Sequence, residues 1–129
     1  MTDPIIFISH FRLKEGAYDD YAALQHQVAA QLDADRPRTL AFLSYADEER
    51  TRISIVHAFA DAESMDIHVE GAVERSRAAY QYLAPAGWEI YGMPSAAVLQ
   101  MLGDAAAVAD VTLTVVPAFE AGFLRMGAA

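Results

Sequence analysis

Between Ile5 and Tyr91 the apolar spacing alternates between two periods, in the order strand, helix, strand, strand, helix, strand. That order restricts the chain to a small set of layered folds. Residues 5–13 are apolar and rich in β-branched side chains. Ile6, Ile8, His10 and Arg12 share one face of this strand, and Ile5, Phe7, Ser9 and Phe11 share the other. Lys14-Glu15-Gly16 interrupts it. Ala17, Tyr21, Leu24, Val28 and Leu32 then recur at helical spacing, one stripe of an amphipathic helix of about five turns. Pro37 ends that helix, because it disfavours the α conformation at Arg36. Thr39–Tyr45 and Ile53–Phe59 read as strands joined by Asp47-Glu48-Glu49-Arg50, a link short enough to force antiparallel pairing. Asp61 has the chemistry of a helix N-cap. Met65, Val69, Ser76, Tyr80 and Leu83 continue at helical spacing past Gly71, which weakens the middle of the helix by about 1 kcal/mol relative to Ala. Pro85-Ala86-Gly87 should end it, with a fourth strand over Trp88–Tyr91.

This is the split βαβ pattern of a ferredoxin-like α+β fold: a four-stranded antiparallel sheet with both helices on one face. The other sheet face is also apolar, and an exposed patch of that kind marks an interface. The expected partner is a second copy, with the two open sheet faces packed together as a dimeric α+β barrel. Beyond residue 93, Ser95 is a candidate N-cap for a helix carrying Val98, Leu99, Met101 and Leu102. Val111–Val116 alternates as a half-exposed strand, stopped by Pro117, and Phe119 to Met126 reads as a further short strand. One domain over 1–129 is expected, with a core at 1–93 and a C-terminal extension at 94–129.

Composition narrows the function. Hydrophobic residues make up 54% of the chain, which excludes a disordered linker. The absence of cysteine excludes disulfides and thiolate chemistry. Eighteen acids against nine bases argue against nucleic acid and anionic membranes as partners. No apolar run is long enough for a membrane span, and no basic leader precedes the first apolar stretch, so a cytoplasmic protein is expected. There is no Gly-rich phosphate loop and no close histidine pair, so neither a nucleotide cofactor nor a bound metal is expected.

Three segments carry a resemblance: the strand entry FISHFRLKEG, the phrase RPRTLAFLSYADEE, and IVHAFADAESMDIH, a strand leading into a helix that bears a histidine. In these the chain resembles the antibiotic biosynthesis monooxygenase-like group of the dimeric α+β barrel superfamily, over roughly residues 4–92. The resemblance implies a pocket. It also implies one of several activities, among them cofactor-free oxygenation of quinols, anthrones and related aromatics, and haem degradation. His57 falls where some polyketide oxygenases of the family have a functional Asn, and Asp61 falls where they begin the next helix with Trp. His68 falls at the helix position that is commonly His in quinol-oxidising members and Trp in haem-degrading ones. The haem-degrading pattern also needs an Asn on the first strand and a second His, but the chain has no Asn and the second position is Ala78. That disfavours haem degradation. Residues 94–129 match no role in the family.

The candidate catalytic residues are therefore His57 and His68. His10, Tyr45, Tyr80 and Trp88 are candidate walls of a pocket for a small hydrophobic or aromatic ligand. For each of them the plainer reading stays open: a core residue with its hydrogen bonds satisfied. His26 reads as surface. Arg75 and Arg77 lie at ion-pair spacing from Glu70 and Glu74 and read as a solvated face. Two functions follow. One is a cofactor-independent monooxygenase of small aromatic or quinol-like substrates. The other is a non-catalytic dimeric barrel that binds a small molecule or serves as an interaction module.

Overall fold

A computed structural model describes residues 3–125. The first strand, β1, spans Ile5–Leu13, and the helix α1 spans Tyr18–Asp35, its last turn closed by Arg36 immediately before Pro37. The hairpin strands are β2 (Thr39–Ala46) and β3 (Arg52–Phe59). The Asp47 carboxylate holds their loop together, accepting from the Thr51 amide at 2.7 Å, the Thr51 hydroxyl at 2.6 Å and the Arg52 amide at 3.0 Å. Asp61 caps α2 (Ala62–Val69) by accepting from the Ser64 amide at 2.8 Å.

The single long helix expected next is two helices. α2 stops at Val69 and α3 runs from Ala72 to Ala79. Gly71 between them takes φ = +80°, a left-handed conformation available to glycine at little cost, so the chain turns there instead of continuing. Leu83 is not on the helix either. It opens β4 (Leu83–Tyr91), five residues ahead of the expected start. Pro85-Ala86-Gly87 lies inside this strand because a bulge accommodates it. His10 faces Gly87 and Phe11 faces Pro85, leaving Ala86 as the extra residue.

The C-terminal helix α4 (Ala96–Ala109) is capped by Ser95, whose hydroxyl accepts from the Val98 amide and donates to Asp66 on α2 at 2.6 Å. It leads to β5 (Leu113–Val116). Residues 119–125 carry no strand, and Met126 lies outside the described residues. The sheet order is β2-β3-β1-β4-β5. The first four strands pair antiparallel, as a ferredoxin-like fold requires, and β5 joins parallel to β4. The sheet is thus five-stranded and mixed where four antiparallel strands were expected; the βαβ crossover through α4 supplies the addition.

Pairing register sorts the side chains onto two faces. Ile5, Phe7, Ser9 and Phe11 lie opposite Phe59, His57, Ile55 and Ile53, and all eight are buried. Met65 of α2 and Val98, Leu102 and Ala106 of α4 pack into the same cluster as Ile5, Phe7, Phe59 and Ile90. Tyr21 of α1 packs with Phe11, Ile53, Ile55 and Leu83. Elements from both ends of the chain therefore cover one face. The opposite face carries Leu43, 47% exposed, and Tyr45, 59% exposed, and next to them His10 and Glu89. No described helix is long and apolar enough to cross a membrane.

Candidate active site

His57 stands on the covered face of β3 between Phe7 of β1 and Phe42 of β2, its cross-strand neighbours. Its ring centroid lies 5.1 Å from that of Phe7 and 5.2 Å from that of Phe42. His68, in the last turn of α2, reaches down to the same place. The two imidazoles meet edge to face at 5.2 Å, and Phe59 lies 5.1 Å from His68. The pair is thus enclosed by three phenylalanines.

A buried imidazole needs hydrogen bonds, and each has one. His57 Nδ1 lies 3.0 Å from the Phe7 carbonyl oxygen. A carbonyl only accepts, so Nδ1 carries the proton and Nε2 keeps its lone pair. Nε2 makes no hydrogen bond among the described residues. His68 Nδ1 lies 2.8 Å from the Thr39 hydroxyl. Burial pushes His57 down to about 4, against the Phe7 bond and aided by the charge of Arg75. His68 is pushed down to about 3, first by burial and then by the charges of His57, Arg75 and Arg36. Both rings are neutral at pH 7.

His57 and His68 open onto a cavity of about 520 Å³ between the sheet and the helices, lined also by Tyr80 and Trp88. That volume lies within the range of small-molecule sites, roughly 300–1,000 Å³. Four of the six candidate site residues are therefore brought together. His10 and Tyr45 are not among them, because their strand parity puts them on the open sheet face. His10 there bonds Glu89 at 2.5 Å and Ser54 at 2.9 Å. Tyr45 borders a separate depression of about 240 Å³ beside α1. His26 is exposed on α1. Among the described residues no group of three His, Asp or Glu converges in a way that could hold a metal ion.

Two cavity residues were not singled out by sequence. Gln25 of α1 lines the cavity with a buried amide nitrogen that has no partner among the described residues. Arg75 was read as solvated, paired with Glu70 or Glu74. Arg77 does pair with Glu74, at 3.1 Å. Both arginines line the cavity, and Arg75 donates to the His68 carbonyl at 2.6 Å and the Glu70 carbonyl at 3.1 Å instead of pairing with an acid. The left-handed break at Gly71 separates α3 from α2, which no i, i+4 count reveals.

No protein-family model matches the chain, and no curated protein matches it. Solved structures do. MupZ from Pseudomonas fluorescens superposes with a TM-score of 0.68 at 16% identity, over 97% of this chain and 91% of that one. SnoaB, a cofactor-independent oxygenase from Streptomyces nogalater, gives 0.59 at 12% identity, over 73% of this chain and 96% of its own. A protein from Caulobacter crescentus with the provisional name antibiotic biosynthesis monooxygenase gives 0.59 at 14% identity, over 69% of this chain and 86% of that one. At these identities the likeness is one of fold, and for MupZ it extends through α4 and β5. The chain thus has the fold of the antibiotic biosynthesis monooxygenase-like proteins.

Proposed function

We propose that the protein is a cofactor-independent monooxygenase of small aromatic or quinol-like substrates. The observation that carries this reading is a neutral His57 with an unengaged Nε2 on the wall of an apolar cavity. An oxygenase without cofactor asks little of its protein: a base that turns the substrate into an electron-rich anion, and a dry space in which that anion meets oxygen. His57 supplies the base, and Tyr80 and Trp88 supply walls for a flat ring. The fold is shared with SnoaB, a cofactor-independent oxygenase.

For an activated methylene between aromatic rings the steps balance as follows. Nε2 takes one methylene proton, and the carbanion passes one electron to O₂. The substrate radical and superoxide combine at carbon, and the imidazolium returns the proton to give a hydroperoxide. Loss of the second carbon-bound hydrogen with the distal oxygen as water breaks the O–O bond and leaves a carbonyl. The sum is CH₂ + O₂ → C=O + H₂O. A base at about 4 facing an acid near 10 makes the first transfer uphill by about 8 kcal/mol. A turnover of about one per second allows a barrier of about 17 kcal/mol, so roughly half remains for the oxygen step.

The low affinity of His57 for a proton favours a second reading, a cavity that binds a ligand without turning it over. Oxygen uptake against anthrones, quinols and catechols separates the two. Uptake above autoxidation that falls at least a hundredfold in His57→Ala, with folding intact, supports the oxygenase. An undiminished rate in that variant removes His57 from the mechanism, and ligand-induced stabilisation without uptake favours the binder.

We further propose a homodimer joined through the open sheet faces. Leu43, Tyr45, Tyr91 and Val116 leave that face apolar and uncovered within one chain.

A further inference from the structure

The cavity carries a positive charge that the proposed oxygenation does not use. Arg75 and Arg36 both donate to the Glu70 carbonyl, at 3.1 and 3.2 Å. Their other acceptors are the carbonyls of His68 and Asp35. No carboxylate lies within ion-pair distance of either guanidinium among the described residues. This is an uncommon arrangement in a chain with twice as many acids as bases.

Holding helix-end carbonyls is a known use of arginine, and it accounts for two of the five N–H groups of Arg75. It does not account for a second guanidinium converging on the same oxygen. The two like charges oppose each other: burial first and then the Arg36 charge lower the affinity of Arg75 for its proton. Nor does it account for Arg36 Nε, which is buried without a partner among the described residues. Two charges held together at a cost, one of them on the cavity wall, are explained by a third charge of opposite sign. The same field acts on both histidines and works against their protonation. The cavity therefore presents one lone pair from His57 and positive potential from Arg75.

We propose that the ligand of this cavity carries an anionic oxygen group, a carboxylate or an equally acidic enol, which docks on Arg75 with Arg36 reinforcing the charge behind it. The inference rests on reading the cavity as a small-molecule site, and it narrows the class from flat apolar molecules to flat acids. Three N–H groups of Arg75 remain for such a group, enough for the paired geometry that guanidinium and carboxylate adopt. The Gln25 amide nitrogen, on another wall of the cavity and without a partner among the described residues, is a candidate donor to a second oxygen.

Trp88 is the single tryptophan of the chain and lines the cavity, so its emission reports occupancy. The test titrates the full chain at pH 7.5 with anthraquinone-2-carboxylate and, in parallel, with anthraquinone-2-carboxamide. The two share shape and differ in charge. The carboxylate should bind roughly tenfold tighter or more, the value of one charge-assisted hydrogen bond pair. In Arg75→Gln, which keeps a donor for the helix-end carbonyls, the preference should fall to about threefold or less; Arg75→Lys, which keeps the charge and loses the fork, should keep only part of it. Equal binding of the two probes by the wild-type chain, or a preference unmoved in Arg75→Gln, overturns the inference and leaves the cavity reading standing. Binding of neither probe overturns both. The wild-type comparison decides even if the glutamine variant does not fold.

Discussion

Two neutral imidazoles inside the protein tie its stability to pH across a window where few other groups titrate. The ordinary histidine value is 6.5, and His57 and His68 are held at about 4 and about 3. The folded state therefore refuses protons that the unfolded chain accepts. Below 6.5 the unfolded state gains protons first, and stability is lost as pH falls, until the folded-state values are reached. From pH 7.5 to 5.0 each ring contributes a loss of about 2 kcal/mol, so the pair contributes about 4 kcal/mol. That is a large part of the 5–15 kcal/mol typical of a domain. The carboxylates of Asp47, Asp61 and Glu89 are held below their ordinary values. Their contribution is lost as pH falls through still lower values, outside this window. Urea unfolding at pH 7.5, 6.5, 5.5 and 5.0 should show the loss in the wild-type chain and little of it in the double variant His57→Leu/His68→Leu. Ring carbon shifts of His57 and His68 in NMR should not move above pH 5. A wild-type loss under about 1 kcal/mol, an equal loss in the double variant, or either ring titrating near 6.5 would refute the reasoning.

Gly92→Ala should lower Tm by roughly 10 °C or more. Its φ is +97°, and an added Cβ would lie 2.6 Å from the Pro4 carbonyl oxygen. Gly103→Ala, within α4 and facing open space, should instead stabilise by about 0.5–1 kcal/mol. Equal melting curves for the two variants would show that the backbone at Gly92 is free to relax. Sedimentation of the wild-type chain should give twice the chain mass, and Leu43→Lys/Tyr45→Lys on the open face should give a folded monomer. A wild-type monomer would dispose of the proposed interface.

Most of the fold was legible in the sequence because burial imposes periods on it. The alternation over β1 and the stripe from Ala17 to Leu32 each name their own buried side, and Pro37, Asp61 and Ser95 mark ends that backbone chemistry requires. Failures came where a local signal had a non-local answer. Pro85-Ala86-Gly87 is a helix stop by composition, yet β1 stands ready to pair with it, and a bulge costs less than leaving Leu83 and its neighbours unpaired. β5 was visible as a strand, but only the position of α4 decides that it runs parallel to β4.

The candidate site shows the same limit in sharper form. Parity placed His10 with Ile6 and Ile8, and His57 with Ile53 and Ile55, and those assignments hold. Parity does not say which side of a strand the helices will cover, since both sides of β1 are apolar. His57 fell on the covered side and His10 on the open one, so two histidines of equal strand parity have unlike surroundings: phenylalanine rings and a carbonyl for one, Glu89 and Ser54 for the other. Arg75 was missed for a related reason. Its nearest acids in sequence offered a sufficient account of its charge, and only the left-handed turn at Gly71 shows that its guanidinium goes to carbonyls at the cavity wall. The residues that set the chemistry of a cavity are those whose environment departs from what sequence neighbours supply. A residue with a ready local explanation is therefore where sequence reasoning stops too early.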